Sequence, residues 1–398
     1  MGGIYALINK STLEYIITKK KISKEFILKN SKFSTEKFDL WLDENNQIYP
    51  TINQAKTIAS IIHIPFAALY MKPELIPLKS IPSAKNFRTF PNPDFIDDSA
   101  LNIAISDILF EHEFLIEARK ELGLEIEKFN PIVPDTNSVS EWAKLIREYF
   151  SIEIDKQFEC SSPRQFYLYL RNQIEKKGVF ISCFKNIEVS VIRGLAFFDS
   201  DTPIIVINDN DRPPAKSFSI IHEIVHIYKK ESSFCNEMYS SWSTKSEEVF
   251  CNAVAGEVLV PEKSLKVIMK KYSDDIISVK DIAAIAAKFS VSREVIVRRL
   301  LDVGYIDNIE YQTYINEFES ELIQSREENK LKRQNGISTG IPKNVSREAI
   351  DRNSSSVCTI LYKGYCEDIY SKRDIARHLK IQIKHIDKFI GEVSKWDS

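Results

Sequence analysis

Apolar residues recur at helical spacing through Phe26, Ile27, Phe33, Phe38, Trp41 and Leu42, and again through Ile52, Ala55, Ile58, Ala59 and Ile62, which predicts a short helical bundle. Ser34 or Thr35 can cap a helix beginning at Glu36, and Pro50-Thr51 is a turn signal that opens the next one. Pro73, Pro77, Pro82, Pro91 and Pro93 then crowd a stretch that cannot be one long helix and reads as a linker. Amphipathic spacing returns from Leu101 to Leu122, from Trp142 to Phe150 and from Pro163 to Lys177. Three β-rich runs separated by turn residues follow, Gly178-Val-Phe-Ile-Ser182, Gly194-Leu-Ala-Phe-Phe198 and Pro203-Ile-Ile-Val-Ile-Asn208, and predict a small sheet. Asp281–Phe289 and Ser292–Leu301 are helical again, joined at a spacing like that of a helix-turn-helix, which helices of an enzyme core produce equally well. Gln334–Pro342 is rich in Gly, Ser and Pro and reads as a second linker before a small helical C-terminal unit. The pattern is that of a mostly helical α+β chain with no internal repeat.

A chain of 398 residues exceeds what one core usually organises, so two or three domains are expected. With 43% apolar and 28% charged residues the composition excludes a disordered chain. No apolar run reaches the roughly 18 residues of a membrane span, and the start carries no basic segment followed by an apolar signal core, so a cytoplasmic protein without membrane contact is expected. Six cysteines without a CxxC pair suit reduced, mostly buried thiols better than a disulfide frame. The net charge of −2 conceals an uneven distribution. Residues 1–90 hold 13 Lys and Arg against 7 Asp and Glu, and residues 330–398 hold 14 against 8, so both ends are basic around an acidic middle. Basic ends permit nucleic-acid contact and equally suit a solvated surface.

The chemistry lies between Ser217 and Pro261. Ser219-Ile-Ile-His222-Glu223-Ile-Val-His226-Ile-Tyr228 places HExxH in surroundings apolar enough for a buried helix. Histidines at i and i+4 share one helical face about 6 Å apart and can reach one tetrahedral cation. Glu223 can lean toward a water on that cation as general base. With only 6 His in the chain, the motif has a chance probability well under roughly one per cent. A catalytic zinc needs a third protein ligand and one open position. The next acidic cluster is Glu247-Glu248, ahead of the apolar run Val249–Val260. Adjacent helical residues point about 100° apart, so only one of the pair can face the site. Val249, Ala253, Gly256 and Val260 are read as one apolar stripe, with Glu248 and Asn252 together on its flank and Glu247 on the face of a packed Cys251. Glu248 is therefore the expected third ligand, and Asn252, one turn on, is expected to accept an N–H from a ligand imidazole. Glu247 and Glu257 are expected to face solvent. No oxyanion donor is identifiable; Tyr228, about 200° around the helix from His226, faces elsewhere.

His222-Glu-Ile-Val-His226 followed by Glu248-Val-Phe-Cys-Asn252-Ala-Val-Ala-Gly-Glu-Val-Leu-Val-Pro261 resembles the HExxH and E-x-x-(A/C)-N-x-x-A-x-x-x-L-x-P signature of ImmA/IrrE-type metallopeptidases. Residues 194–198 and 203–208 fit that family's two strands before the active helix, and the resemblance covers about residues 165–305. Lys37 to Tyr70, with Trp41, Pro50, Ala59 and Ile64-Pro65-Phe66, is similar to the XRE-like helix-turn-helix that often precedes such a peptidase. The resemblance implies an XRE-like region at 1–72, a linker at 73–100, a zincin-like (gluzincin) peptidase domain at 101–330, a linker at 331–345 and a basic helical unit at 346–398. It further implies a zinc-dependent endopeptidase that cuts a protein regulator, typically a repressor of mobile-element or stress genes, with Zn²⁺ on His222, His226 and Glu248 and Glu223 as the base. Peptide substrate would lie extended beside the strand at Gly194–Phe198. The would-be recognition helix carries Glu36, Asp39, Asp43 and Glu44, which oppose a phosphate backbone, so a protein partner is favoured over DNA for the N-terminal region. Two other classes stay open: a DNA-binding regulator or sensor that uses the peptidase fold without turnover, and a protein-binding scaffold with structural zinc.

Overall fold

The computed structural model describes residues 4–78, 99–124, 127–189, 191–197, 202–229, 243–272, 277–334 and 344–396. Most of the first linker, the middle of the second, Phe198 at the end of its expected strand, and Cys235 lie outside these residues. The chain divides into two compact units, one reaching to Ala118 with Phe184–Ile192, the other comprising Arg119–Cys183 and Arg193 onward. Among the described residues no helix is long and apolar enough to cross a membrane.

The first unit is helical: α1 Lys10–Lys19, α2 Lys24–Ser31, α3 Thr35–Leu42, α4 Ile52–Ile61 and α5 Ser99–Glu121, which belongs to it as far as Ala118. Local chemistry sets the starts of three of these helices. Asn9 caps α1, Ser23 caps α2, and Thr51 with Gln54 forms a capping box on α4, each supplying an acceptor for a first-turn N–H. Leu13, Ile16, Ile27, Phe38, Trp41, Ile58 and Ile62 fill the core. Lys10 is buried, and its ammonium donates to the carbonyls of Leu40, Asp43 and Asn46 at 2.9, 2.8 and 3.1 Å, closing the C-terminal end of α3. The boundary expected at residue 100 falls inside this unit. Ile103 joins the core, the Ser23 N–H donates to Ser99 Oγ at 2.7 Å, and Asn102 donates to the Lys21 carbonyl at 3.0 Å. The Pro-rich stretch hid this packing because α5 is tied to residues some 80 positions away.

The second unit begins with α6 Val139–Tyr149, α7 Ile154–Glu159 and α8 Pro163–Glu175. The sheet follows, β1 Phe180–Phe184, β2 Gly194–Phe197 and β3 Ile204–Asn208, in the order β1-β3-β2. β2 and β3 are antiparallel, with Gly194 opposite Ile207 and Phe197 opposite Ile204. The central β3 is buried throughout, which an uninterrupted Ile-Ile-Val-Ile run allows and a strand with one wet face would not. Then come α9 Pro213–Tyr228, α10 Ser243–Leu259, α11 Glu262–Met269, α12 Val279–Phe289, α13 Arg293–Val303, α14 Asn308–Gln334, α15 Val345–Arg352, α16 Ser355–Cys366, α17 Lys372–Leu379 and α18 Ile386–Val393. α9 packs on β2, β3, α8 and α10, and α10 also packs on α6. The predicted mostly helical α+β architecture with a small sheet is the one observed.

Residues 344–396 cluster with the second unit. Arg171, buried in α8, donates to the Asp351 and Ile350 carbonyls at 2.8 and 3.0 Å, and Glu175 one turn on accepts from the Ser355 N–H at 2.9 Å. Arg164 pairs with Asp351. Asp209, just after β3, pairs with Lys216 in the second turn of α9 and with Arg352 at the end of α15. Burial alone would raise the Asp209 carboxyl; these two cations outweigh it and hold it below the usual range.

Arg171→Met removes the guanidinium that donates to those two carbonyls while keeping much of the side chain's bulk. Loss of one partner from a buried charged network costs about 3–5 kcal/mol. Urea unfolding of the variant is expected to show a loss of about 3 kcal/mol; a loss under about 1 kcal/mol would show that the α8 to α15 contact contributes little.

Candidate metal centre

α9 begins with Pro213-Pro214, whose fixed φ and missing N–H suit a first turn, and continues as an apolar helix. Ile220, Ile221, Ile224, Val225 and Ile227 are fully buried, so its phase is fixed by packing, and that phase turns His222 and His226 toward α10. α10 presents Cys251, Val254, Ala255, Val258 and Leu259 to the core. Glu248 thereby comes to lie against both histidines.

Three ligand-type atoms converge. His222 Nε2 lies 3.2 Å from His226 Nε2 and 3.2 Å from one Glu248 oxygen, and His226 Nε2 lies 3.6 Å from the other. Four-coordinate zinc with bonds near 2.0–2.1 Å separates neighbouring ligand atoms by about 3.3–3.4 Å. The residues present fit such an ion. Two imidazole nitrogens and a carboxylate so close repel unless a proton or a cation lies between them. Among the described residues this is the one group of three or more His, Cys, Asp or Glu able to hold a metal. The Glu248 side chain keeps 39% of its exposure against 15% for each histidine, so the group is open on the Glu248 side.

The outer contacts differ between the two imidazoles. Asn252 Oδ1 lies 3.0 Å from His222 Nδ1, where it accepts that N–H and leaves Nε2 as the lone-pair nitrogen. Cys251 Sγ is 3.9 Å from His226 Nδ1, a loose contact for a fully buried thiol. Phe218, one turn before His222, stacks beside its ring with centroids 6.4 Å apart.

Glu223, the residue after His222, is buried, with the start of β2 at Gly194 against its carboxyl. Burial pushes its carboxyl above the usual range against the pull of His222 and His226, and Glu248 adds to the rise. Burial would raise Glu248 too, but the two imidazoles against it, His222 and His226, outweigh burial and hold that carboxyl well below the usual range. Two neighbouring carboxyls are thus driven apart, one toward holding a proton and one toward staying ionised.

Three residues at the site escape the sequence reading. A Cβ on Gly194 would stand 3.0 Å from Glu223 Oε1, so a larger residue at the start of β2 would press on that carboxyl. A glycine opening a strand was the available signal. Arg193 and Phe218 help line a groove of about 480 Å³ that runs past Asn252, Val249 and Ala253. Tyr228 is buried among Phe129, Trp142, Tyr149 and Phe150, away from the histidines.

Two expectations are corrected. Val249 is 55% exposed and lines the groove, so the buried stripe of α10 runs through Cys251, Val254 and Val258 and not through Val249. Glu257 does not face solvent: it is buried, takes an ion pair from Arg299 of α13, and accepts the Glu262 N–H at 3.0 Å. Its partner lies 42 residues away, beyond any local pattern. Glu247 is half-buried.

With this geometry in hand, the comparison with known families is specific. Residues 175–301 match the Peptidase_M78 family, described as the IrrE N-terminal-like domain, so the chain carries an ImmA/IrrE-type peptidase domain that spans the sheet and helices α9 to α13. No curated protein sequence matches the chain.

Arg299→Met is expected to destabilise the chain by about 3 kcal/mol by leaving the Glu257 carboxylate buried and unpaired, and adding Glu257→Gln is expected to restore about half of that. Urea unfolding of both variants checks this; a single variant as stable as the native chain would refute the buried pair.

Proposed function

We propose that the domain is a zinc-dependent endopeptidase of gluzincin type that cuts a protein regulator of the repressor kind. The observation that carries this reading is the convergence of His222 Nε2, His226 Nε2 and the two oxygens of the Glu248 carboxylate at 3.2–3.6 Å, with the carboxyl of Glu223 buried next to His222 in the chain. His222, His226 and Glu248 would hold the ion, three protein ligands with one side open, as a catalytic site requires and a closed structural site does not. When bound, zinc supplies a Lewis acid that polarises a carbonyl and lowers the pKa of water. Glu223, with its raised carboxyl, takes the proton of the attacking water and passes it to the leaving amine. Asn252 holds His222 in the tautomer that presents Nε2. β2 stands at the edge of the sheet, and Gly194 brings that edge against Glu223, so an extended peptide adding a strand there would run past the base. The N-terminal unit, with Asp39 paired to Lys24 and further carboxylates on and after α3, is proposed to hold a protein partner.

Glu223→Gln preserves shape and cannot accept the proton. The variant is expected to retain about one zinc per chain by elemental analysis and to lose cleavage, so that new protein N-termini appear in cells expressing the native chain and are absent with the variant. Identical N-termini in both cells, or none in either, would favour a sensor that uses the fold without turnover.

A further inference from the structure

Three hairpins in the chain have the outline of a helix-turn-helix, and their charges set them apart. In the first, α3 and the residues after it present Glu36, Asp39, Asp43 and Glu44. In the second, α12 and α13 turn at Ser290, but the arginines are consumed: Arg293 pairs with Glu321, Arg298 with Asp302, and Arg299 with Glu257. The third is α17 and α18, where Lys380 in a left-handed conformation ends the first helix and a short helical turn at Ile383–His385 leads into the second. Ile375, Leu379, Ile386, Phe389 and Val393 are buried along its seam, and α16 packs on α18 to complete a three-helix module.

Residues 372–388 hold six Lys and Arg and two Asp. Both acids are engaged. Asp387 pairs with Lys372, and Asp374 accepts from the Ser371 N–H at 2.9 Å and from its hydroxyl at 2.6 Å as part of the cap of α17. Arg373, Arg377, Lys384 and Lys388 are exposed, and none of the four forms an ion pair or hydrogen bond with another described side chain. Arg373 and Arg377, one turn apart, stand two positions from the buried Ile375 and Leu379, on the outer side of α17. Lys384 and Lys388 stand two positions either side of the buried Ile386, on the outer side of the turn and of α18. Between these pairs, just ahead of α18, Gln382 is exposed and Ile383 is 50% exposed.

We infer that α16–α18 is a duplex-DNA-binding module, with Gln382, Ile383 and Lys384 in the short helical turn that leads into the second helix facing base edges in the major groove and Arg373, Arg377 and Lys388 on flanking phosphates. In a helix-turn-helix the N-terminal residues of the second helix reach the bases while the first helix crosses the backbone. Gln pairs with adenine through two hydrogen bonds, and an apolar side chain meets the thymine methyl. The deep, narrow major groove of A-form RNA does not admit a helix, which favours DNA as the duplex. The inference stands apart from the peptidase reading, because none of these residues belongs to the metal centre.

Fluorescence anisotropy of the full chain with a labelled mixed-sequence duplex of about 30 base pairs tests it, at about 50 and about 200 mM salt. The native chain is expected to bind at the lower salt. Arg373→Ala/Arg377→Ala/Lys384→Ala/Lys388→Ala is expected to bind at least about tenfold more weakly, with a log–log salt slope shallower by about 3–4. Lys29→Ala/Lys37→Ala in the first unit is expected to leave binding within about twofold, since exposed lysines elsewhere add only weak screened attraction. A melting curve for the fourfold variant superimposing on the native one shows that the fold is kept, as substitution of exposed residues should allow. No duplex binding at the lower salt, unchanged affinity in the fourfold variant, loss through Lys29→Ala/Lys37→Ala, or tighter binding to single-stranded RNA of equal length would each overturn the assignment.

Discussion

Without a proton or a cation between them, two imidazole nitrogens and a carboxylate held within 3.6 Å of one another are an unfavourable arrangement, and packing in the second unit holds them there. Neither α9 nor α10 can rotate to separate them without exposing Ile220, Ile221, Ile224 and Val225 on one helix or Cys251, Val254 and Val258 on the other. Each large aliphatic side chain so exposed would cost about 1.5–3 kcal/mol. The histidine pair is thus fixed by apolar packing on the opposite side of its own helix, and the third ligand by packing one turn further along the next.

The sheet and the C-terminal segment extend the same constraint. β3 is buried on both faces and gives α9 a flat apolar support, while Gly194 on the neighbouring edge strand lies close enough to Glu223 to bound its carboxyl. Asp209 ties the start of α9 to Arg352, and Arg171 and Glu175 hold the last turn of α15 and the first residue of α16. The segment after residue 344 therefore braces the end of α9 opposite the histidines, in addition to carrying its own charged surface.

The convergence of His222, His226 and Glu248 was legible because it depends on local rules. Spacing of four puts the histidines on one face, and helical phase separates Glu248 from Glu247. The small sheet was legible from uninterrupted β-branched runs. What escaped were features made by residues far apart in the chain. Glu257 looked like a solvent-facing glutamate until α13 brought Arg299 to it. Val249 looked like core because it is apolar, yet it lines a groove. Periodicity from Leu101 predicted the helix α5 and could not tell which core it would join, since Ile103 packs on residues of the first bundle.

Zinc held as proposed by His222, His226 and Glu248 would have nitrogen and oxygen ligands only. Zinc X-ray absorption on the native chain reads this directly: two imidazole nitrogens and carboxylate or water oxygens at about 2.0–2.2 Å are predicted, with no scatterer near 2.3 Å. A sulfur shell near 2.3 Å would place Cys251 on the metal and rule out this ligand set, as would a zinc spectrum unchanged by Glu248→Ala.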